Sequence, residues 1–140
     1  MATIGAGVTL KGFYFEDSMF TCVLASGITA ADIGKAVSWD TGAANKVKLA
    51  ADGDSICGRL ETVENRVQEG VLVGTVAFRF SNTLPIKSGL AGDHVVTQGG
   101  LLIGAGAGEV KGVIAANFVA GTTLVRVCQI ESLVATAMLI

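Results

Sequence analysis

The sequence predicts an all-β fold, namely a small antiparallel β-barrel or β-sandwich with a short irregular or helical insert. Between Ile33 and Phe80, short runs of alternating apolar residues are separated by glycine-containing turns, a spacing that is typical of such folds. The chain contains 19 glycines and one proline, and glycine destabilises a helix interior by about 1 kcal/mol relative to alanine. Both observations favour short strands and tight turns over long helices.

The length of 140 residues corresponds to one domain. We expect an N-terminal arm over residues 1–12 and a single β-barrel-like domain over residues 13–140. The bulky apolar side chains of residues 2–10 are those of Ile4, Val8 and Leu10. The arm is therefore either a frayed terminus or a segment that becomes ordered on a neighbouring molecule, and the sequence leaves both open.

The domain is expected to begin with a hairpin around residues 16–19, because apolar and aromatic residues lie on both sides of that point. Alternating apolar residues then predict two short strands, joined by a turn at residues 41–45. These strands are residues 35–39 and residues 46–50.

Asp52-Gly53 is the strongest hairpin signal in the chain, since a type I′ turn needs positive φ at both central residues. The strand that follows, residues 56–63, places Ile56, Gly58, Leu60 and Thr62 on one side. An exposed charged bend is then expected before a long strand at residues 71–80. The charged residues of that bend are Glu61, Glu64, Arg66 and Glu69.

Pro85 is expected to end the long strand, with a loop at residues 82–86. Further strands are predicted at residues 92–96, 110–118 and 122–130, although residues 109–118 are also compatible with a short helix. Residues 133–140 are apolar to the end of the sequence. We expect them to pair into the sheet or to contact a neighbouring subunit.

Composition excludes several classes of function. A net charge of −2 and a pI near 5.3 argue against a nucleic-acid binder that would need a basic stripe. No apolar run approaches the ~20 residues of a membrane-spanning helix, and residues 1–10 lack the basic residue of a secretory signal. We therefore expect synthesis in the cytoplasm, where Cys22, Cys57 and Cys128 would be thiols. All three are predicted to be buried packing residues.

The tetrapeptide Asp40-Thr41-Gly42-Ala43 matches the letters of the aspartic-protease active-site turn, and Leu102-Ile103-Gly104 lies at a distance like that of the element supporting it. However, Ser38 stands where that family has an apolar residue, and Asp before Gly is ordinary turn chemistry. A plain turn is the favoured interpretation of the match.

The remaining candidate sites also favour structural roles. The glycine-rich run at residues 104–108 lacks the register and the lysine of a phosphate-binding loop, so we expect a surface loop. His94 is the only histidine and is expected on a loop surface. Trp39 is either a core residue or an interface anchor, and its place on an alternating strand favours the core. We predict no catalytic, cofactor-binding or metal-binding residues, and no enzymatic activity.

A series of short matches between residues 33 and 111 resembles small virion proteins of tailed bacteriophages, and it is most similar to head decoration, or cement, proteins. The matched segments are Ile33-Gly34-Lys35-Ala36-Val37, Asp40-Thr41, Ala43-Ala44-Asn45, Val47-Lys48-Leu49-Ala50, Asp52-Gly53-Asp54, Gly58-Arg59-Leu60-Glu61, Glu64-Asn65-Arg66, Glu69-Gly70 and Val73-Gly74-Thr75-Val76. The resemblance implies a β-rich trimer on the outer capsid surface that holds adjacent capsomers together. Its partner would be the major capsid protein, and its location the virion.

Hydrophobic residues make up 51% of the chain and charged residues 16%, so we expect apolar surface to contact other subunits. The predicted capsid contacts are Ile4, Val8 and Leu10. The predicted homotrimer interface consists of Val73, Val76, Phe78, Leu133, Met138 and Leu139. The alternatives are another phage structural subunit, of the tail tube or capsid accessory kind, and a dimeric retropepsin-like aspartic protease.

Overall fold

The computed structural model describes residues 18–66, 68, 70–113, 125–131 and 133–139. It confirms an all-β fold, with two single turns of 3-10 helix at Ala30–Asp32 and Gly92–His94. The predicted arm over residues 1–12 lies outside the described residues. The strands are β1 (Ser18–Leu24), β2 (Ala36–Trp39), β3 (Lys46–Leu49), β4 (Gly58–Arg66), β5 (Val71–Pro85), β6 (Leu102–Gly106), β7 (Glu109–Gly112), β8 (Arg126–Glu131) and β9 (Val134–Leu139).

Strands β1 to β5 form a closed barrel. Their order is β1-β3-β2-β4-β5, and a further pairing between β1 and β5 closes the ring. The barrel is antiparallel except where β1 and β3 run parallel, at Val23 opposite Lys46 and Leu24 opposite Val47. The strands and the intervening turn predicted between residues 35 and 50 are confirmed.

The turn at Asp52-Gly53 is present, but the hairpin predicted around it is wrong. Strand β2 lies between β3 and β4 and pairs with both of them. The turn contacts β6 instead, where the Gly53 N–H donates to the Gly104 carbonyl at 2.9 Å and the Gly104 N–H donates to the Asp54 carbonyl at 2.8 Å. The turn that the sequence predicts therefore does not join two paired strands; it connects β3 to the segment before β4 and contacts β6.

Strand β5 is longer than predicted, and the loop expected at residues 82–86 is wrong. Its first half belongs to the barrel, and its second half pairs with β9 from Phe80 opposite Leu139 to Pro85 opposite Val134. Pro85 is the last residue of the strand, a position where its missing N–H is tolerated. Strand β9 lies between β5 and β8, which confirms that the apolar C-terminal residues pair into the sheet.

The glycine-rich run predicted as a surface loop forms most of the β6–β7 hairpin, so that prediction is wrong. Ala107 and Gly108 have φ values of 52° and 78°, and positive φ at both central residues is what a type I′ turn requires. The tip bonds to the barrel wall, because the Ala36 N–H donates to the Gly108 carbonyl at 2.9 Å and the Gly108 N–H donates to the Ala50 carbonyl at 3.1 Å. Glycine at 104 and 108 allows the hairpin to lie this close to the barrel wall, because an added Cβ would come within 3 Å of wall atoms at both positions.

Two smaller expectations also failed. Residues 92–96 form a 3-10 turn followed by a buried Val96 rather than a strand. In β4 the register shifts between Leu60 and Thr62, and this bulge exposes Thr62 while Val63 packs against the barrel core. One extra residue in a strand reverses the face of every residue that follows.

The buried residues form two cores, one on each side of the barrel wall. Val76 faces the barrel interior, and its neighbour Ala77 faces the second core. The barrel core consists of Cys22, Leu24, Ile28, Val37, Val47, Leu60 and Val76. The second core contains Ala36, Ala50, Ile56, Ala77, Phe80, Leu84, Ile86, Val96, Leu102, Val110, Val125, Val127, Ala135, Ala137 and Leu139.

Candidate functional site

The most distinctive surface is an exposed aromatic cluster at one end of the barrel, formed by Phe20, Trp39 and Phe78, which we call the aromatic mouth. Phe20 is 60% exposed and Trp39 is 50% exposed. The Trp39 and Phe78 rings stack with centroids 5.2 Å apart, and the Phe20 and Phe78 centroids are 5.7 Å apart. Together with Thr21 and Asn45 the three rings line a groove of about 340 Å³.

Each ring of the aromatic mouth is positioned by the strand that carries it. Phe20 lies opposite the buried Val76 in the β1–β5 pair, and Trp39 lies opposite the buried Val47 in the β2–β3 pair. Trp39 is the last residue of β2, so it extends past the final layer of the core. The prediction of a core position for Trp39 is therefore wrong, because alternation specifies the face of a strand but not the depth along the barrel.

A register shift in the β1–β5 pair accompanies the third ring. Met19 lies opposite Ala77 whereas Ser18 lies opposite Arg79, so Phe78 is the additional residue on β5. Bulges redirect side chains at the ends of barrels. Here the bulge leaves Phe78 half-buried against the barrel core, with its ring stacked on Trp39.

The turn beside the aromatic mouth is held by polar contacts. The Asn45 side chain donates to the Thr21 carbonyl at 3.1 Å, and the Asn45 carbonyl accepts from the Val23 N–H at 2.9 Å. Asp40 accepts a hydrogen bond from the Gly42 N–H at 2.9 Å and lies 3.8 Å from the Lys46 ammonium. Asp40 thus caps its own turn, whereas a retropepsin-like enzyme pairs two such aspartates across subunits.

The structure does not bring the predicted interface residues into one surface. Val76 and Leu139 are 0% and 6% exposed, so their side chains already pack inside the chain. Val73 and Met138 are half-buried, and Phe78 belongs to the aromatic mouth. The subunit interface itself stays a prediction.

Leu133, the sixth predicted interface residue, is 50% exposed and lies in a different groove of about 220 Å³. This groove, which we call the Leu133 groove, is also lined by Ile86, Leu90, Val95 and Ile130. Sequence reasoning missed the exposure of Val95 and of Val134, which follows Leu133. The signal was there, because neighbouring residues such as Val95 and Val96 point to opposite faces of an extended chain and cannot both be buried on one side.

A polar contact inside the barrel wall joins three segments. The hydroxyl of Ser38, which is 4% exposed, donates to the Asp54 carboxylate at 2.9 Å, and the Ala51 N–H donates to the same carboxylate at 3.0 Å. The Lys48 ammonium lies 3.4 Å away. Burial raises the pKa of Asp54, but these hydrogen bonds and the lysine outweigh burial and hold the pKa below its ordinary value.

The thiols and the histidine differ in exposure. Cys22 is buried and Cys57 is half-buried, whereas Cys128 is exposed, so the prediction of three buried thiols is wrong for Cys128. Burial raises the pKa of the Cys57 thiol to about 12, which leaves it protonated at neutral pH. His94 is half-buried, with Nδ1 3.2 Å from the Gly112 carbonyl. Among the described residues, no three His, Cys, Asp or Glu side chains are grouped so that they could hold a metal ion.

Comparisons with protein-family models, with curated proteins and with solved structures found no match. Within the part of the chain that the structure describes, no helix has the length and apolar character needed to cross a bilayer.

Proposed function

We propose that this chain is a structural virion protein that decorates the outer surface of a tailed-phage capsid and stabilises it by bridging capsomers. The observation that carries the proposal is the pair of separate apolar grooves on one small β domain. A decoration protein that assembles with its own copies and also binds a shell needs at least two contact surfaces, and the aromatic mouth and the Leu133 groove share no lining residue. Exposed apolar patches of this kind commonly mark protein contacts.

The resemblance to decoration proteins supports the same proposal. The residues that carry it between Ile33 and Val76 include β2, β3, β4 and the first part of β5, together with their connecting turns. Those of them that the structure describes belong to the barrel wall and its turns. The resemblance also favours a homotrimer, and the Leu133 groove is the surface that we assign to contact between subunits.

Under this proposal the protein acts by binding and not by catalysis. Binding that occurs only on the expanded shell stabilises that state by mass action, in proportion to the number of occupied sites. We assign Ile4, Val8 and Leu10 to the capsid contact. An arm of this composition cannot offset about 1–2 kcal/mol of backbone entropy per residue alone, but it would gain main-chain hydrogen bonds by adding to a sheet edge on the capsid.

The experiment is co-sedimentation with capsid shells that lack decoration protein, both before and after expansion. We expect saturable binding to expanded shells and a rise in their melting temperature. Deleting residues 2–9 is expected to weaken binding by orders of magnitude while the melting temperature of the free protein stays nearly unchanged. Equal capsid affinity in this truncation would remove the arm from the mechanism.

The same experiment separates the alternatives. Binding to purified tails but not to shells would replace the proposal with a tail subunit. Peptide hydrolysis in the acid range that Asp40→Asn abolishes would replace it with an aspartic protease. Failure to bind either expanded or unexpanded shells would reject the decoration role.

A further inference from the structure

We propose that the first half of β1, together with the aromatic mouth, binds an extended and uncharged segment of a partner protein by strand addition. The main chain of that segment pairs with the backbone of Met19 and Thr21, and one aromatic side chain of the segment enters the mouth. In this mode of recognition the main-chain hydrogen bonds provide affinity, and the alternate side chains provide specificity.

The first argument is an edge of β1 that β3 covers only in part. The Val23 N–H donates to the Asn45 carbonyl at 2.9 Å, so the backbone of Val23 faces β3. Because backbone groups alternate between the two edges of a strand, those of Met19 and Thr21 face the same side. Strand β3 pairs with β1 at Val23 and Leu24. Among the described residues, no strand pairs with this edge at Met19 or Thr21.

The backbone groups on this edge indicate what kind of partner fits. The Asn45 side chain donates to the Thr21 carbonyl at 3.1 Å and so lies at the end of the open edge. Before that point the edge presents the N–H and the carbonyl of Met19 and the N–H of Thr21. An extended polypeptide carries donors and acceptors at the same spacing along its own edge. This complementarity favours a polypeptide over a carbohydrate or a lipid chain.

The aromatic mouth specifies the side chain that the segment needs. Phe20 lies between Met19 and Thr21, and its ring is 5.7 Å from that of Phe78 in the mouth. Directly opposite residues have their side chains on the same face of a sheet. The residue opposite Phe20 therefore points into the groove of about 340 Å³ that Trp39 also lines. An aromatic residue fits best there, because aromatic rings attract one another at centroid separations of about 4.5–7 Å.

The surroundings of the mouth favour an uncharged segment. The five residues that line the groove are uncharged. Beside it, the Asp40 carboxylate lies 3.8 Å from the Lys46 ammonium, so the two charges offset each other. The residues on either side of the aromatic pair with Met19, which is 48% exposed, and with Thr21. β-branched residues suit these positions because they favour extended backbone.

The experiment measures binding of a synthetic peptide through Trp39, which is the only tryptophan in the chain. The probe is acetyl-Ser-Thr-Val-Phe-Val-Thr-Ser-amide, titrated into the full-length protein. We expect a saturable shift of Trp39 emission to shorter wavelength. Replacing the central Phe of the peptide with Ser should weaken binding by about tenfold or more. N-methylation of the Phe and both Val nitrogens keeps every side chain but removes main-chain donors, and it should abolish binding.

A substitution in the protein tests the open edge from the other side. Thr21→Pro removes the N–H of that residue, which a strand tolerates where no neighbouring strand accepts from it. The matched comparison is Thr21→Ala, which removes the same side chain but keeps the N–H. The proline variant should bind the peptide about fivefold more weakly than the alanine variant. Circular dichroism checks that both variants are folded.

Hydrogen exchange locates the bound peptide. The amides of Met19 and Thr21 should exchange rapidly in the free protein and become protected when the peptide binds. The amides of Phe20 and Cys22 face β5 and should stay protected in both states, which confirms that the barrel is folded.

Three outcomes would overturn the proposal. Equal binding of the N-methylated peptide would show that the rings bind it without strand addition. Amides of Met19 and Thr21 that are already protected in the free protein would show that the edge is occupied by the chain itself or by a second copy. No saturable shift of Trp39 emission with the unmodified peptide would show that the mouth does not accept such a segment. None of these measurements uses capsid shells, so failure here is distinct from failure of the proposed function.

Discussion

The Asp54 carboxylate joins the segment after β3 to the buried Ser38 of β2, and we expect its negative charge to strengthen these hydrogen bonds. Its carboxylate accepts from Ser38 and from the Ala51 N–H. Hydrogen bonds to charged groups contribute about 1.5–3 kcal/mol each when buried, and the Asp54 side chain is 30% exposed. We expect Asp54→Asn to lower the free energy of unfolding by about 1–2 kcal/mol at neutral pH, measured by urea denaturation.

The pH dependence follows from the direction of the pKa shift. Because the folded protein lowers the pKa of Asp54, the stabilisation is fully present above the unfolded value of about 3.9 and is lost as pH falls through the folded value. The stability difference between wild type and Asp54→Asn should therefore shrink in acid. Asp93→Asn, at an exposed position, is the control. A difference that stays constant down to acid pH would contradict this role for the carboxylate.

The three cysteines are expected to differ in reactivity, because the thiolate is the reactive form. Cys128 is exposed, whereas burial raises the pKa of both Cys22 and Cys57. In the native protein we expect a maleimide to label Cys128 first, as located by peptide mass mapping. All three should react at similar rates in denaturant. Labelling of native Cys57 as fast as Cys128 would show that the barrel opens readily at this position.

At the tip of the β6–β7 hairpin, substitutions of two adjacent residues are expected to change the free energy of unfolding in opposite directions. Ala107 adopts φ 52°, a region that costs a non-glycine residue about 1–2 kcal/mol, so Ala107→Gly should raise the free energy of unfolding by up to about 1 kcal/mol after the entropy cost of glycine. At Gly108 an added Cβ would lie 2.8 Å from the Lys35 Cβ. Gly108→Ala should therefore destabilise the protein by about 2 kcal/mol or more.

Chemical denaturation of the two hairpin variants checks both signs. The two substitutions are adjacent, and their expected effects on the free energy of unfolding have opposite signs. A general effect of altering the hairpin would instead change this free energy in the same direction in both variants. Equal destabilisation by both would contradict the type I′ turn.

Strands could be predicted where the pattern that specifies them lies within a short stretch of sequence. Strands β2 and β3 and the turn between them follow from alternation and turn residues within fifteen residues of sequence. The second half of β5 was missed because its partner β9 lies about fifty residues later, and no local pattern contains that pairing. The β3-β2-β4 order was missed for the same reason, since the Asp52-Gly53 turn is stabilised by contact with β6.

The site was less predictable than the fold. The alternation of β2 correctly placed Trp39 on the inward face, but only the lengths of the neighbouring strands show that this face ends in solvent. The direction of the Phe78 side chain depends on a bulge in β5, and the position of that bulge is set by the pairing of β5 with β1. Both features arise from how strands meet in three dimensions, which a single sequence does not encode in a readable pattern.

At the scale of the whole molecule, we propose that the Leu133 groove mediates assembly. Leu133 is 50% exposed, Val95 48% and the adjacent Val134 42%, and closed symmetry hides such apolar surface without forming fibres. The resemblance to decoration proteins favours a trimer over a dimer, so we expect a homotrimer whose interface contains this groove. Burying a fully exposed Leu or Val side chain contributes about 1.5–3 kcal/mol. These side chains are about half exposed, so burying each contributes about 1 kcal/mol, or roughly fivefold in the association constant.

Sedimentation velocity on the wild type and on Leu133→Ser/Val134→Ser tests this assembly. The wild type should sediment as a trimer at micromolar concentration, and the double variant should shift to a monomer with a native circular dichroism spectrum. Ile33→Ser is the matched control, because Ile33 is 45% exposed but does not line the groove, and it should remain trimeric. A stable wild-type monomer without capsid would reject a preformed trimer, because the groove would then stay exposed in solution. A trimer that survives both substitutions would place the interface elsewhere on the molecule.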